Sequence, residues 1–320
     1  MDLKTRKRLA KLVAMLGASN EGERDNARRR IDEILRRHKA SWAELPELLR
    51  NVSPDDPQPS PPVDNLDGRG IGPLDLLTHI LRRYLHLQEH EHLAIALWIA
   101  HTHVFDRFMV TPRLALVSPV RGCGKTVALS LLHGLCANST KTDGISPAAL
   151  FRLIDQGNSL TVLCDEVDNY NLANDGTFRA VVSSGHRRGG KIIRVIEGNP
   201  RSFKTFAPLA LAAIGTLPLP MIHRSLVISM TRADSSQPLK RFDELRAAAD
   251  LDAIFRFVYV WSHKVELDTD PPMPDGLRNR AADNWRPLLA IADACGDEWA
   301  SRRAKPRSRC RAATRTKTRR

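Results

Sequence analysis

The sequence predicts an α/β protein in which a mainly parallel central sheet is flanked by helical N- and C-terminal parts. Two short apolar runs, RLALVS and SLTVLC, have the length and composition of buried strands. The first is followed by a glycine-rich turn and an apolar helix, which is the strand–loop–helix order of an α/β unit. The flanking segments instead show the apolar period of amphipathic helices.

The composition excludes several classes of protein. The chain has 320 residues, of which 42% are hydrophobic, enough for a globular protein with a sizeable core. No apolar run reaches the about 18 residues that a membrane-spanning helix needs. The basic N-terminus has the pattern of an amphipathic helix and not of a signal peptide, so we expect a cytoplasmic protein without a membrane partner. The five cysteines contain no C-x-x-C pair, which argues against a zinc ribbon or a disulfide framework.

The positive charge is concentrated at the C-terminus. The net charge is +13, and the last twenty residues hold ten Lys or Arg and no acidic residue, which leaves only +3 for the rest. Basic tails of this kind are usually disordered and attract polyanions. We therefore expect residues 301–320 to form a disordered tail that contacts nucleic acid; a tail that is merely solvated is the alternative.

The run SPVRGCGKT, from Ser118 to Thr126, is close to the phosphate-binding pattern G-x-x-x-x-G-K-[ST]. Pro119 replaces its first glycine, but a proline also turns a chain sharply out of a strand and keeps Ser118 extended. Gly122 and Gly124 would let backbone N–H groups approach phosphate oxygens. The motif predicts a P-loop that binds ATP through Arg121, Gly122, Cys123, Gly124, Lys125, Thr126 and Val127.

A second motif lies about forty residues downstream, where the apolar run SLTVLC ends in Asp165 and Glu166. In P-loop ATPases such an acidic pair ends a neighbouring strand. Asp165 is predicted to hold Mg²⁺ together with Thr126, and Glu166 to polarise the attacking water. Lys125 would contact the β- and γ-phosphates as a further catalytic group. An ordinary acidic turn at a strand end is the alternative.

The interval between the two motifs indicates the subclass. It has room for an additional strand near residues 140–143 and for a helix beginning at Ser146 and Pro147. Together with the candidate catalytic glutamate, this predicts a P-loop NTPase of the additional-strand, catalytic-glutamate type. The pattern favours an ATPase over a nucleotide kinase.

Residues 185–206 read as a basic β-hairpin with glycines at its approach. We predict that this hairpin contacts DNA, most directly a single strand; a sheet-edge extension whose charges simply face water is equally compatible with the pattern. The predicted DNA-binding residues are His186, Arg187, Arg188 and Lys191.

Two further residues have the positions of groups that respond to the γ-phosphate. Thr216 follows the apolar strand at 209–214 and is predicted to be a sensor, against the alternative of a plain strand-end hydroxyl. Arg224 precedes the strand at 225–230 and is predicted to be a catalytic arginine finger, against the alternative of a surface ion-pair partner. Whether it acts in its own subunit or in a neighbour stays open.

The motifs define six segments. A small helical module at 1–50 is followed by a proline-rich linker at 51–73, which contains five prolines between 54 and 62 and should be stiff. A helical pair at 74–110 leads into the ATPase core at 111–233. A lid-like helical region at 234–300 and the basic tail at 301–320 complete the chain.

Over residues 74–299 the sequence resembles a family of phage and mobile-element P-loop ATPases of unknown function, related to primase-helicase ATPase domains. The resemblance rests on the runs PRLALVSPVRGCGKT, ISPAALFRLID, LCDEVD, SSGHRRGGKIIR, AIGTLP and HRSLVI. It implies Mg²⁺-dependent ATP hydrolysis coupled to DNA remodelling, helicase- or loader-like, in phage or mobile-element replication. A homo-oligomeric ring and a primase or other replication partner are the expected associations. After Trp299 the chain departs from the family pattern and becomes the basic tail.

A second function fits the same motifs: an ATP-binding regulatory or DNA-tethering protein without motor activity. In that case ATP would act as a switch, and the N-terminal helices and the tail would bind DNA. Deleting the last twenty residues distinguishes the two. Tail-mediated binding would be salt-sensitive, independent of ATP and lost on deletion, whereas binding through the hairpin would survive and respond to nucleotide.

Overall fold

The computed structural model describes most of the chain beyond residue 71. Described are residues 72–296 and 299, except 158, 169–174 and 234–238, together with residues 5, 9, 12, 13, 28, 30–36, 38 and 40–44. The chain divides into two compact units at residue 59. Most of the predicted proline-rich linker, residues 51–71, and the predicted basic tail lie outside the described residues.

In the first unit, apolar side chains from two helical stretches pack together. Residues 30–36 are helical, as are residues 5, 9, 12 and 13. Leu9, Leu12, Ile31 and Leu35 are buried against one another. A short 3₁₀ turn, Trp42–Glu44, follows, and its Glu44 carboxylate accepts a 2.7 Å hydrogen bond from the backbone N–H of Ser41. The apolar faces predicted from the sequence therefore form the contact in this unit.

The second unit is built on a five-stranded parallel sheet. Its strands, with a separate hairpin, are β1 (Arg113–Ser118), β2 (Ser139–Thr142), β3 (Thr161–Cys164), β4 (Lys191–Ile196), β5 (Asn199–Lys204), β6 (Leu209–Ile214) and β7 (Ser225–Ser229). The order in the sheet is β2-β3-β6-β1-β7, and all neighbouring pairs are parallel. The prediction of an α/β protein with a parallel central sheet is confirmed. The strand predicted near residues 140–143 is β2, which lies at one edge, while β6 separates β1 from β3.

Eight helices of the described part of this unit surround the sheet. They are α1 (Pro73–Tyr84), α2 (Glu89–Thr102), α3 (Lys125–Leu135), α4 (Pro147–Gln156), α5 (Gly176–Ser184), α6 (Leu219–Ile222), α7 (Glu244–Lys264) and α8 (Asn279–Ala294). Helix α4 begins as predicted, because the Ser146 hydroxyl caps it by accepting from the N–H of Ala149 at 3.2 Å. Among the described residues, no helix combines the length and the apolar character needed to span a bilayer.

Helices cover both faces of the sheet. Leu114 and Leu116 of β1 belong to a core formed with α1, α2, α3, α7 and α8, whereas Ala115 faces a second core that includes α4, α5 and the hairpin. Because side chains alternate along a strand, one strand serves both cores. This two-sided burial explains why the strands appear in the sequence as continuous apolar runs.

The amino end of β1 is fixed by a buried arginine. Arg113 is 1% exposed, and its guanidinium group donates two 3.1 Å hydrogen bonds to the carbonyl of Val182 in α5 and another to the carbonyl of Ala207. Burial, together with the nearby charge of Arg224, lowers its pKa to about 9. One side chain therefore ties the start of β1 to α5 and to the segment entering β6.

Candidate functional site

The carboxyl ends of β1, β3 and β6 meet at one edge of the sheet. Ser118, the last residue of β1, is in register with Ile214 of β6, and its carbonyl accepts a 2.9 Å hydrogen bond from the N–H of Gly215. The loops that follow these strands therefore lie side by side. In parallel α/β sheets, ligands bind in the crevice that such loops form.

The turn after β1 has the backbone that the glycines predict. Gly122 and Gly124 have φ values of +77° and +83°, a region that residues with a side chain rarely adopt. Gly124 caps α3, whose first residue is Lys125. The first N–H groups of a helix have no partner within the helix and carry its positive dipole end. The turn thus presents an anion-binding helix end at the edge of the sheet.

Lys125 is held by neutral groups. Its Nζ donates a 2.5 Å hydrogen bond to the Ser118 hydroxyl, which in turn donates to the carbonyl of Val120 at 2.8 Å. Within the described part of the chain, no carboxylate forms an ion pair with Lys125. Its positive charge therefore remains available to an anion at the turn.

Thr126 and Asp165 come together across the two motifs. The Thr126 hydroxyl donates to the Asp165 carboxylate at 3.1 Å, and Asp165 is only 7% exposed. The backbone N–H of Asp165 donates to the carbonyl of Thr142 in β2, which fixes the end of β3. A hydroxyl and a carboxylate are oxygen ligands of the kind that Mg²⁺ prefers.

Glu166 turns the chain out of β3. Its φ is +52°, its side chain is exposed, and its N–H donates to the Asp165 carboxylate at 2.8 Å. A non-glycine residue in the left-handed region is uncommon and marks a backbone that the surroundings hold in place. Here the surroundings include β6, because the N–H of Val167 donates to the carbonyl of Ala212. The acidic pair thus separates into one buried and one exposed carboxylate.

Thr216 lies at this same edge, and Arg224 does not. Thr216 is exposed, one residue after the Gly215 that bonds to the end of β1. Arg224 precedes β7, and its carbonyl accepts a 2.8 Å hydrogen bond from the N–H of Arg113 at the amino end of β1. About 17 Å of strand, the length of β1, separates that edge from the turn. The chain therefore does not bring Arg224 to its own Lys125.

A second positive charge, that of Arg280, lies near Arg224. The Arg224 guanidinium group donates to the carbonyl of Pro220 at 2.7 Å, a neutral acceptor. Burial lowers its pKa, and the positive charge of Arg280 lowers it further. The two arginines form a cationic patch at the amino edge of the sheet.

Arg232 contacts the glycine-rich turn and was not predicted from the sequence. It follows β7, is exposed, and donates from Nε and Nη2 to the carbonyl of Arg121 at 3.2 and 3.0 Å. Strand β7 pairs with β1, so the residues after both strands lie at the same edge. The sequence does show an arginine soon after a core strand. Only the strand order of the sheet, however, reveals that this arginine lies beside the glycine-rich turn.

The prediction of a DNA contact is corrected for one of the four residues, His186. Arg187, Arg188 and Lys191 are exposed, but His186 is 4% exposed. Its Nε2 donates to the Asn284 side-chain carbonyl at 2.7 Å, and Asn284 donates to the carbonyl of His223 at 3.1 Å. Burial, and to a smaller extent the charge of Arg113, lowers the pKa of His186 to about 4. The ring therefore joins α8 to the core and is not available at the surface.

The hairpin β4–β5 stands apart from the main sheet. Its strands pair only with each other among the named strands. Ile192 and Phe203 are buried, and the Phe203 ring lies 4.7 Å from the ring of Phe151 in α4. On the opposite face, Lys191 pairs with Lys204, and both are exposed. The hairpin is thus anchored by one apolar face, and its outer face presents the two lysines together with Ile193 and Val195, which are 64% and 71% exposed.

The comparisons with known proteins concern the C-terminal part. A family described as "Protein of unknown function (DUF3631)" matches residues 229–320. The match begins in β7 and therefore includes Arg232 but not the glycine-rich turn. No curated protein matches the chain at a significant level.

Proposed function

We propose that this protein is a P-loop NTPase of the additional-strand, catalytic-glutamate type that hydrolyses ATP with Mg²⁺. The observation that carries the proposal is the 3.1 Å contact between Thr126 and Asp165, beside a lysine that has no carboxylate partner among the described residues. The position of β6 between β1 and β3 supports the same assignment.

The residues present fit a Mg²⁺ ion that phosphates help to hold. The described residues contain no cluster of three or more His, Cys, Asp or Glu side chains that could hold a metal alone. Thr126 and Asp165 would supply two oxygens, and the nucleotide and water the others. When bound, Mg²⁺ neutralises charge on the β- and γ-phosphate oxygens.

The chain's own groups would divide the remaining work. The N–H groups at the start of α3 and the Lys125 ammonium would hold the phosphates and stabilise their developing charge. Glu166 is exposed at the end of β3 and would orient the attacking water. Thr216 would hydrogen-bond to the γ-phosphate or to that water, because the residue before it is bonded to the end of β1.

Arg224 would complete the site of a neighbouring copy. It lies at the edge of the sheet opposite the glycine-rich turn, so it would reach phosphates only across an interface. A head-to-tail contact repeated around a rotation axis gives a closed ring. We propose that the active form is such a homo-oligomer.

We propose further that hydrolysis is coupled to DNA, helicase- or loader-like, in phage or mobile-element replication. The lysine pair on the outer face of the hairpin supports this, because Lys191 and Lys204 lie opposite each other and are exposed on an element that inserts between β3 and β6 in the chain. Like charges placed directly opposite destabilise a hairpin, so their presence favours a polyanionic partner.

The test is steady-state ATP hydrolysis with and without single-stranded DNA. DNA-stimulated turnover that Lys125→Ala and Glu166→Gln both abolish is the expected result, with Lys264→Ala, an exposed lysine at the end of α7, as the matched control. Tight ATP binding without turnover in the unaltered chain would contradict the motor and leave a nucleotide-controlled regulator or tether.

A further inference from the structure

A cleft of about 390 Å³ lies at the amino edge of the sheet, on the side away from the glycine-rich turn. Its walls are two backbone segments tied together. Val110, just before β1, forms an antiparallel bridge with Arg187, and the N–H of Arg188 donates to the carbonyl of Met109 at 2.9 Å. The cleft is therefore a fixed feature of the fold.

Four arginines line this cleft: Arg107, Arg187, Arg188 and Arg286. Arg187 pairs with Asp283 at 3.2 Å, and Arg286 pairs with Asp270. The other two donate to neutral carbonyls, Arg107 to Ser262 and Val265 at 2.6 and 3.0 Å and Arg188 to Phe108 at 3.2 Å.

Carbonyl contacts orient a guanidinium group without neutralising it, so the cleft keeps an excess of two positive charges. Both uncompensated arginines, Arg107 and Arg188, are exposed. A pair of oriented, exposed guanidinium groups is a site for phosphate oxygens, which they can bind in a bidentate manner.

An apolar hollow of about 240 Å³ adjoins the cleft and shares Arg188 with it. Its lining is mostly apolar, with Phe206 and Leu160 among the residues, and it includes one carboxylate, that of Asp106. The Arg188 guanidinium lies 5.8 Å from the centre of the Phe206 ring, which itself lies 5.5 Å from the Phe105 ring. At the mouth of the arginine cleft, Met109 is 67% exposed. Phe206 is half-buried and Phe105 is only 4% exposed, so the aromatic surface beside the arginine is that of Phe206.

We propose that the cleft binds the sugar–phosphate backbone of a single strand of nucleic acid, with a base in the adjoining hollow. Single-strand binding sites combine cations that follow the backbone with aromatic groups on which bases stack. The proposal rests on the proposed coupling to DNA and names a second contact for the strand, at the base of the hairpin. Because β1 separates this cleft from the nucleotide site, binding here should not require ATP.

The first experiment measures binding of fluorescent oligothymidylate and oligouridylate to the full chain by anisotropy, without nucleotide, over a range of salt concentrations. We expect Arg107→Gln combined with Arg188→Gln to weaken binding about tenfold. The slope of log affinity against log salt should become shallower by about 1.4, the value for two lost single-strand phosphate contacts. Preference for one probe would identify DNA or RNA as the natural strand.

The matched control is Arg179→Gln combined with Arg246→Gln, two exposed arginines outside the cleft. This control removes the same amount of positive charge. An equal loss of affinity in both double variants would therefore overturn the proposal and leave net charge as the cause of binding. Urea unfolding of each variant excludes misfolding as the cause of a loss.

A second measurement locates the strand and does not depend on any variant. The same oligonucleotides carrying 5-bromouracil are photo-cross-linked to the unaltered chain, and the attached peptides are mapped. Cross-links at residues 105–109 or at Phe206 are expected. Cross-links confined to residues 301–320 or to β4–β5 would overturn the proposal that the cleft binds the strand. This outcome is independent of ATP hydrolysis, so failure of the cleft and failure of the ATPase proposal are distinguishable.

Discussion

The hydroxyl of Thr126 donates a 3.1 Å hydrogen bond to the carboxylate of Asp165, which joins the first turn of α3 to the end of β3. These two residues are 39 positions apart in the chain. Their contact depends on the order of the sheet, in which β6 separates β1, the strand that leads into the turn and α3, from β3. The contact is short enough that a single cation could bind both oxygens.

Asp165→Asn should therefore lose Mg²⁺-dependent ATP hydrolysis by at least about 100-fold, because the amide keeps the size of the side chain but not its charge. Nucleotide binding measured in EDTA should change little. Thr126→Ser, which keeps the hydroxyl, should retain most activity and serves as the matched variant. Hydrolysis by Asp165→Asn at the unaltered rate and Mg²⁺ dependence would contradict the assigned ligand.

Arg232 provides a second prediction, because its guanidinium group already contacts the backbone of the glycine-rich turn. Arg232→Gln should lower kcat/KM for ATP about tenfold, the cost of about one charge-assisted hydrogen bond. Arg232→Lys should recover part of the loss. The comparison is Arg241→Gln, an exposed arginine near the start of α7. If Arg232→Gln behaves like that control, Arg232 only supports the loop.

The third prediction concerns Arg224 and its distance from the turn of its own chain. Lys125→Ala and Arg224→Ala should each be inactive alone. Mixed in equal amounts and allowed to exchange subunits, they should regain about a quarter of the sites, because an intact turn then meets an intact arginine across a head-to-tail interface. ATP turnover of the mixture measures this. Absence of recovery despite subunit exchange, shown by a labelled subunit, would exclude action between copies.

The behaviour of Arg224 and Arg232 shows the limit of what the sequence can predict. Both are arginines next to β7, one before it and one after it. The apolar runs and the glycine-rich motif correctly indicated a parallel sheet and a turn followed by a helix. The motif alone, however, does not say which strands are neighbours, and that order decides which arginine reaches the turn.

His186 illustrates a different limit. Its position among basic residues suggested exposure, but its ring bonds to Asn284, which is 98 positions away in α8. Burial of a polar side chain depends on such distant partners, and local composition contains no information about them. Arg113 could not be predicted either, since its acceptors are two backbone carbonyls from other elements.

The fourth prediction is a loss of stability in mild acid. Burial lowers the pKa of His101 to about 3 and the pKa values of His103 and His186 to about 4. Unfolded histidine titrates near pH 6.5, so between about pH 6.5 and 4 the unfolded chain binds protons that the folded chain does not. The free energy of unfolding should therefore decrease as the pH is lowered through this window, by up to about 1.4 kcal/mol per pH unit for each histidine.

Urea unfolding between pH 7.5 and 5 measures this slope. His186→Gln should make it shallower by the share of one histidine, whereas His79→Gln, on the exposed face of α1, should leave it unchanged. Equal slopes for the unaltered chain and His186→Gln would show that His186 takes up a proton in the folded state.

The hairpin β4–β5 enters and leaves the core between β3 and β6, two strands that are themselves hydrogen-bonded neighbours. The main sheet is continuous without the hairpin, because β3 and β6 pair directly with each other and not with β4 or β5. Changes in the length or sequence of its outer face are therefore tolerated as surface-loop changes are, at a small entropic cost. Under the proposed function, the core could then acquire a different target by exchanging about fifteen residues of the hairpin, so that selectivity would evolve separately from hydrolysis.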